Sequence, residues 1–278
     1  MWNRVLWSNI YFEERGKIME KKRGSFTDKL GFVLAAAGSA VGLGNLWRFP
    51  YLAAKYGGGI FLFVYLILAV TFGFALMVTE IALGRKTRLS AIGAYPALDK
   101  RFKFLGYLSS VIPFLITPYY CVIGGWVLKY LVVFLTGQVS SAAGDEFFSS
   151  YIAQPAAPVI FFVIYVTVGM LAVLLGVEGG IEKASRFMMP VLVVMTVFIS
   201  VFSLMQPGAM EGLKYYLLPD FSRFSATTVM AAMGQLFYSM SLAMGIMITY
   251  GSYMKKETSL EKSVRQIEIF DTGIAFMA

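Results

Sequence analysis

The chain has 278 residues, 58% of them apolar and 14% charged, with a mean hydropathy of +0.69. A water-soluble domain carries roughly 45–50% apolar and about 25% charged residues, so this composition belongs to an integral membrane protein. With no His and one Cys, the sequence excludes Ser-His-Asp and Cys-His catalysis, His-ligated zinc or haem, and an intramolecular disulfide.

A helix needs about 20 mainly apolar residues to cross the hydrocarbon core of a bilayer. Runs of that kind predict six spans, at 30–54, 59–84, 105–135, 158–177, 187–205 and 226–254, and a seventh run begins near 267. They lack the period-2 alternation of a membrane barrel, and open sheet edges are excluded in lipid. The expected fold is therefore an all-α integral membrane helix bundle.

Basic residues fall on alternate connections. The N-terminal tail holds Arg4, Arg15, Lys17, Lys21, Lys22, Arg23 and Lys29, and the loop after span 2 holds Arg85, Lys86, Arg88, Lys100, Arg101 and Lys103. Lys183 and Arg186 follow span 4; Lys255, Lys256, Lys262 and Arg265 follow span 6. The other set carries only Lys55, Lys214 and Arg223. The positive-inside rule then predicts a multi-pass protein of the cell membrane with a cytoplasmic N-terminus. Topology accounts for the formal charge of +8, so lipid and not nucleic acid is the expected surrounding partner. Residues 1–22 read as a cytoplasmic tail. Within it, 1–18 is a start-site extension or floppy tail ahead of a second start at Met19-Glu20-Lys21-Lys22. Residues 23–278 read as the transmembrane region, whose interrupted seventh run suggests a fragment or a chain that a partner completes.

Two spans are interrupted at similar depth. The first reads Gly38-Ser39-Ala40-Val41-Gly42-Leu43-Gly44-Asn45-Leu46-Trp47-Arg48-Phe49-Pro50. Each of its three mid-span glycines costs a helix about 1 kcal/mol relative to Ala. The sixth reads Tyr238-Ser239-Met240-Ser241-Leu242-Ala243-Met244-Gly245. Paired interruptions mark binding sites in transporters. An unwound helix frees carbonyls for a cation and N–H groups for an anion, which suits a zwitterion or carboxylate carried with a metal ion. Packing is the alternative, since Gly38-x-x-x-Gly42 also has the spacing that lets helices approach closely. Arg48 near the outer end of its span equally fits snorkelling to the interface, whereas the Asn45 amide inside a span favours a cavity.

Gly38 to Pro50, followed by Gly57-Gly58-Gly59, resembles the first helix of the neurotransmitter:sodium symporter family. The likeness continues through Pro118-Tyr119-Tyr120 and Gly124-Gly125-Trp126, then Gly234-Gln235-Leu236-Phe237-Tyr238-Ser239 and Ile248-Thr249-Tyr250-Gly251-Ser252-Tyr253. It covers about residues 20–278 and is nearest to the bacterial amino-acid branch. Family members have about twelve helices, in which spans 1–5 and 6–10 form an inverted repeat of the leucine-transporter type. The resemblance implies one whole repeat and the opening of the second here, with helices 1 and 6 broken and the C-terminal half of the transporter missing.

The family's sites carry over as implications. One sodium ion would meet the Ala40 carbonyl, Asn45, Ser239, Asp271 and the substrate carboxylate. A second would meet the Gly38 and Val41 carbonyls and ligands from a later span. The substrate's charged end would meet Ser39, Ala40, Leu43, Gly44 and Tyr120, and its side chain Gly42, Ile116, Tyr238, Ser241 and Met244. Gly42 stands where monoamine transporters of the family carry Asp, which favours an amino acid, and the flexible Met244 favours a bulky apolar or aromatic one. Asp271 stands where chloride-dependent relatives carry Asn, so chloride-independent transport is implied. An aspartate near a helix start is the plainer alternative. Arg48 and Gln235 would gate the outer side, with Tyr120 and Tyr238 as a lid. Arg23, Ser252 and Tyr253 would gate the inner side, with Phe26 in place of Trp. The implied activity is sodium-coupled symport by alternating access, with sodium co-transported, no organic cofactor and no covalent chemistry. A non-transporting membrane component that needs a second chain is the competing reading.

Overall fold

The computed structural model describes residues 25–144 and 146–278, so Arg23 and the 1–22 tail lie outside the described residues. The first span is bent by 47° between Lys29–Ala40 and Gly44–Lys55. Helix α1 (Lys29–Ala40) starts at Asp28, whose carboxylate accepts the Gly31 N–H at 2.7 Å and pairs with Arg186 at 2.6 Å. It ends where Val41 turns extended, with φ −79° and ψ 115°. The chain re-enters through a wide π-type turn at Gly44–Arg48 and continues as α2 (Phe49–Lys55).

The second span runs through α3 (Gly59–Leu68), a π-type bulge at Ala69–Gly73 and α4 (Phe74–Thr87). After the short α5 (Ala91–Leu98) come α6 (Lys103–Leu135) and α7 (Ala157–Leu174). A π-type turn at Val177–Glu182 then leads into α8 (Lys183–Leu204). Beyond α9 (Ala209–Leu217), the sixth span divides into α10 (Ala226–Ser239) and α11 (Ile246–Tyr253), and α12 (Leu260–Met277) follows.

The described residues thus hold four unbroken helices long and apolar enough to cross a membrane, together with the bent first pair. The sixth span does not count among them because its two halves are each short. Helix α12 begins well before the apolar run near 267, since its first turns carry Glu261, Lys262 and Arg265. Counting apolar runs also passes over α5 and α9, which lie in the connections. An isolated bridge joins Gly58 to Pro219, and Gly58 has φ 59° in a turn where a Cβ would overlap Tyr215.

Lipid tails are as apolar as the side chains, so helices in a membrane associate through close packing. Here glycines provide it. A Cβ at Gly84 of α4 would overlap the Ile248 carbonyl of α11, and one at Gly251 the Ile81 carbonyl in return. Gly124 and Gly125 of α6 receive the Tyr165 ring and the Phe162 backbone of α7 in the same way. Behind the first break, the Phe49 ring lies 5.0 Å from Tyr65, 5.5 Å from Phe61 and 5.7 Å from Phe276. Each such pair adds about 0.5–1.5 kcal/mol beyond its buried area, and together they fix α2 against α3 and α12. The outer faces of α7 and α8 remain apolar and exposed, as suits lipid.

Gly84→Val should exceed the ~1–3 kcal/mol of ordinary overpacking, because the obstacle is backbone. Loss of the monodisperse peak in detergent size-exclusion would show it, with Gly169→Val, whose Cβ meets open space, as control. Asp28 behaves differently. The Gly31 N–H, and then Arg186 against some desolvation, hold its carboxyl below the ordinary 3.8. Its stabilisation is therefore present above that pH and is lost as acid titrates it below. Asp28→Ala should cost about 1 kcal/mol of cap energy at pH 7, with the screened ion pair adding little. The gap from wild type in thermal unfolding should close as acid takes the pH below the ordinary carboxylate value of 3.8.

Candidate functional site

Backbone that leaves its helical ladder inside a membrane must find other partners, because no water is at hand. In the first break the Gly42 N–H donates to Asn45 Oδ1 at 3.2 Å, and Gln235 Nε2 donates to the Gly44 carbonyl at 2.8 Å. In the second, the Ala243 N–H donates to Glu80 Oε1 at 2.6 Å, and the Ser241 hydroxyl to the Ser39 carbonyl at 3.4 Å. Side chains therefore hold both breaks, and two of these bonds run from one break to the other span. Ser241 and Ala243 sit at φ 53° and 60°, a left-handed conformation that costs an L residue about 1–2 kcal/mol.

The breaks meet at Asp271, which is fully buried midway along α12. Its carboxylate accepts from Asn45 Nδ2 at 2.8 Å, from Ser239 Oγ at 2.9 and 3.1 Å, and from the Tyr65 hydroxyl at 3.3 Å. Asn45 donates as well to the Asp271 carbonyl at 2.9 Å. The plainer expectation of an aspartate near a helix start is thus corrected, because the residue is mid-helix and bonded to side chains. Among the described residues no three Asp, Glu or Cys side chains converge. The carboxylate and the Ser239 and Tyr65 hydroxyls bring together oxygens of the kind that hard cations favour, while Asn45 turns its amide nitrogen to Asp271 and its oxygen to the Gly42 N–H.

Ala40 closes α1 just before the first break. Gly38 lies against α8, where a Cβ would stand 3.4 Å from Ser185 and 3.5 Å from Met189, and Val41 is buried among Leu34, Ala37 and Met189. The small-residue spacing therefore serves packing at Gly38 but not at Gly42, where a Cβ would meet nothing within 4 Å.

A cavity of about 240 Å³ opens between the breaks, lined by Ser39, Ile116, Tyr120, Tyr238, Ser241 and Met244. Its lining stops at Ser39; Gly42, Leu43 and Gly44 continue along the chain, with Gly44 packed against the Tyr238 ring. The rings of Tyr120 and Tyr238 lie 5.9 Å apart, and the Arg48 guanidinium sits 4.7 Å above the Tyr238 ring. At the other end of α11, the Tyr253 carbonyl accepts the Phe26 N–H at 3.4 Å, and Phe26 stacks on Tyr250. Arg88 donates to the Ser252 and Met254 carbonyls there.

Two participants escaped the sequence reading, Tyr65 and Glu80, both on the second span. A carboxylate inside the apolar run at 59–84 is itself a signal, since intramembrane acids are costly and usually face a polar partner. Tyr65 carries no such mark.

The family description "Sodium:neurotransmitter symporter family" matches residues 23–150 and 147–278. The chain belongs to that family. A sodium-dependent transporter of Bacillus subtilis is 34% identical over 93% of this chain and 58% of its own length. One from Methanocaldococcus jannaschii is 35% identical over 92% and 54%. The crystal structure of MhsT in complex with L-phenylalanine superposes with a TM-score of 0.86 at 37% identity, covering 92% of this chain and 59% of that one. The chain thus spans a little over half the length of these symporter relatives, and its broken-helix bundle is that of the family.

Glu80→Ala leaves the Ala243 N–H without its acceptor and should cost about 1–3 kcal/mol. Glu80→Gln keeps an acceptor and should stay nearer wild type. Thermal unfolding of the two variants in detergent separates the hydrogen bond from the charge.

Proposed function

We propose that this chain supplies the binding core of a sodium-coupled amino-acid symporter that works by alternating access, the complete activity belonging to a protein of its relatives' length. The observation that carries the reading is the Asp271 carboxylate, buried where both helix breaks converge. A sodium ion there would draw on Asp271, Ser239, the Asn45 amide oxygen and the Ala40 carbonyl, with the substrate's carboxylate completing its shell. Each ligand then raises the other's affinity by the same factor. Gly38 and Val41 would lend carbonyls to a second ion, whose further ligands lie in later spans.

The substrate's charged end would take N–H groups of the Ser39–Gly44 break and the Tyr120 hydroxyl. Its side chain would enter the cavity between Ile116, Tyr238, Ser241 and Met244, next to Gly42. The apolar wall and the flexible Met244 favour a bulky hydrophobic or aromatic amino acid, in keeping with the L-phenylalanine bound to MhsT. Arg48 over Tyr238, with Gln235 behind it, would close one side; Arg23, Ser252, Tyr253 and Phe26 would close the other. No covalent step is involved, so the protein acts as a carrier of the cell membrane with a cytoplasmic N-terminus and not as an enzyme. A fixed carboxylate at 271 supplies the negative charge that chloride would otherwise bring, hence chloride independence.

Equilibrium binding of labelled L-phenylalanine to the purified protein tests this. Binding should require sodium, and Trp, Tyr and Leu should displace the label at lower concentration than Ala or Gly. Asn45→Ala should weaken it more at low sodium than at high. Displacement led by Gly or Ala would end the substrate assignment, and an equal Asn45→Ala loss at both sodium levels would end the ion assignment. Replacing chloride by gluconate should leave binding unchanged; a loss would refute the role given to the Asp271 charge.

A further inference from the structure

Two cavities lie side by side on the face of α12, with Arg265 and Ile269 lining both. One, of about 390 Å³, lies at the start of the helix and is lined by Lys29, Glu261, Lys262 and Arg265 with Gln266 and Ile269. The other, of about 630 Å³, shares Arg265 and Ile269 and continues as a groove between α12 and the second span, walled by Leu66, Val70, Phe74 and Phe276. From Arg265 to Phe276 the helix rises about 1.5 Å per residue, or roughly 16 Å. That is close to half of the ~30 Å hydrocarbon core, so the groove is one leaflet deep.

We propose that this composite groove binds one anionic phospholipid from the leaflet on its basic side, with the phosphate against Lys29, Lys262 and Arg265 and an acyl chain along the apolar wall. Charge still favours the anion: three cations line the groove against two carboxylates, Glu261 at the mouth and Glu268 deeper, and none of the three cations forms an ion pair among the described residues. Basic pockets at the ends of transmembrane helices recognise lipid head groups in this way. Deeper along the same face, Glu268 Oε1 and Thr272 Oγ1 are buried without a hydrogen-bond partner. Glu268 is only 9% exposed. The room for a chain is real, since a Cβ at Gly273, in the groove lining, would meet nothing within 4 Å. This proposal is independent of the sodium and substrate reading.

Native mass spectrometry of the purified chain, offered equal phosphatidylglycerol and phosphatidylcholine, tests it. Phosphatidylglycerol should be retained about tenfold better. The double variant Lys262→Gln/Arg265→Gln should lose that preference, while Lys100→Gln/Arg101→Gln on another connection keeps it. Gly273→Leu, which fills the groove, should lower retention of phosphatidylglycerol several-fold; should it fail to fold, the charge variants decide alone. Equal retention of the two lipids by wild type would overturn the proposal. So would a preference that survives loss of Lys262 and Arg265, or a groove that retains no lipid because protein covers it.

Discussion

A carboxylate held inside a membrane-spanning bundle dictates much of what surrounds it. Removing a charge from water costs several kcal/mol even after relaxation, and a hydrogen bond to a charged group returns about 1.5–3 kcal/mol. Asp271 collects such bonds from Asn45, Ser239 and Tyr65, enough to offset a penalty of that size. Because those donors come from the first break, the end of α10 and the second span, satisfying one charge ties four segments together. The helix that carries it is in turn seated by Phe276 against Phe49 and Tyr65.

The same economy of partners shapes the breaks. Peptide groups released at Gly42, Gly44 and Ala243 do not meet lipid; they meet Asn45, Gln235 and Glu80. Such side-chain bonds differ from a helical ladder in one respect that matters for transport: each can be exchanged singly. On the proposed reading, an ion would take the Asn45 amide oxygen in place of the Gly42 N–H, and a substrate carboxylate would take N–H groups of the break, with the neighbouring helices left in register. A cost is already stored there, in the left-handed Ser241 and Ala243. The short α11, pressed against α4 at Gly84 and Gly251, gives this irregular segment a firm base.

Sequence and structure agree where the signal is local and chemical. Long apolar runs are transmembrane helices because lipid leaves the backbone no other choice. The glycine cluster before Asn45 and the Tyr238–Gly245 stretch are breaks because those residues hold a helix poorly and bring their own polar partners. Agreement fails where the determinant lies elsewhere in the chain. The start of α12 was hidden because its first turns face the interface and carry charge. The bonding of Asp271 draws on Tyr65, an ordinary apolar-run tyrosine whose hydroxyl reaches the carboxylate. Glu80 stands as an acid in an apolar run, but nothing local points to its partner, one backbone N–H 163 residues away. Gly38 reads as part of the break and serves mainly to let α8 approach.

If the two interruptions and Asp271 form a single cation-binding unit, sodium must act on both at once. Hydrogen–deuterium exchange measured in sodium and in an equal concentration of a large organic cation puts this directly. Sodium should slow exchange of the amides at 40–45 and at 240–245 together, and Asp271→Ala should abolish both effects. Protection confined to one segment, or unchanged by loss of the carboxylate, would contradict it.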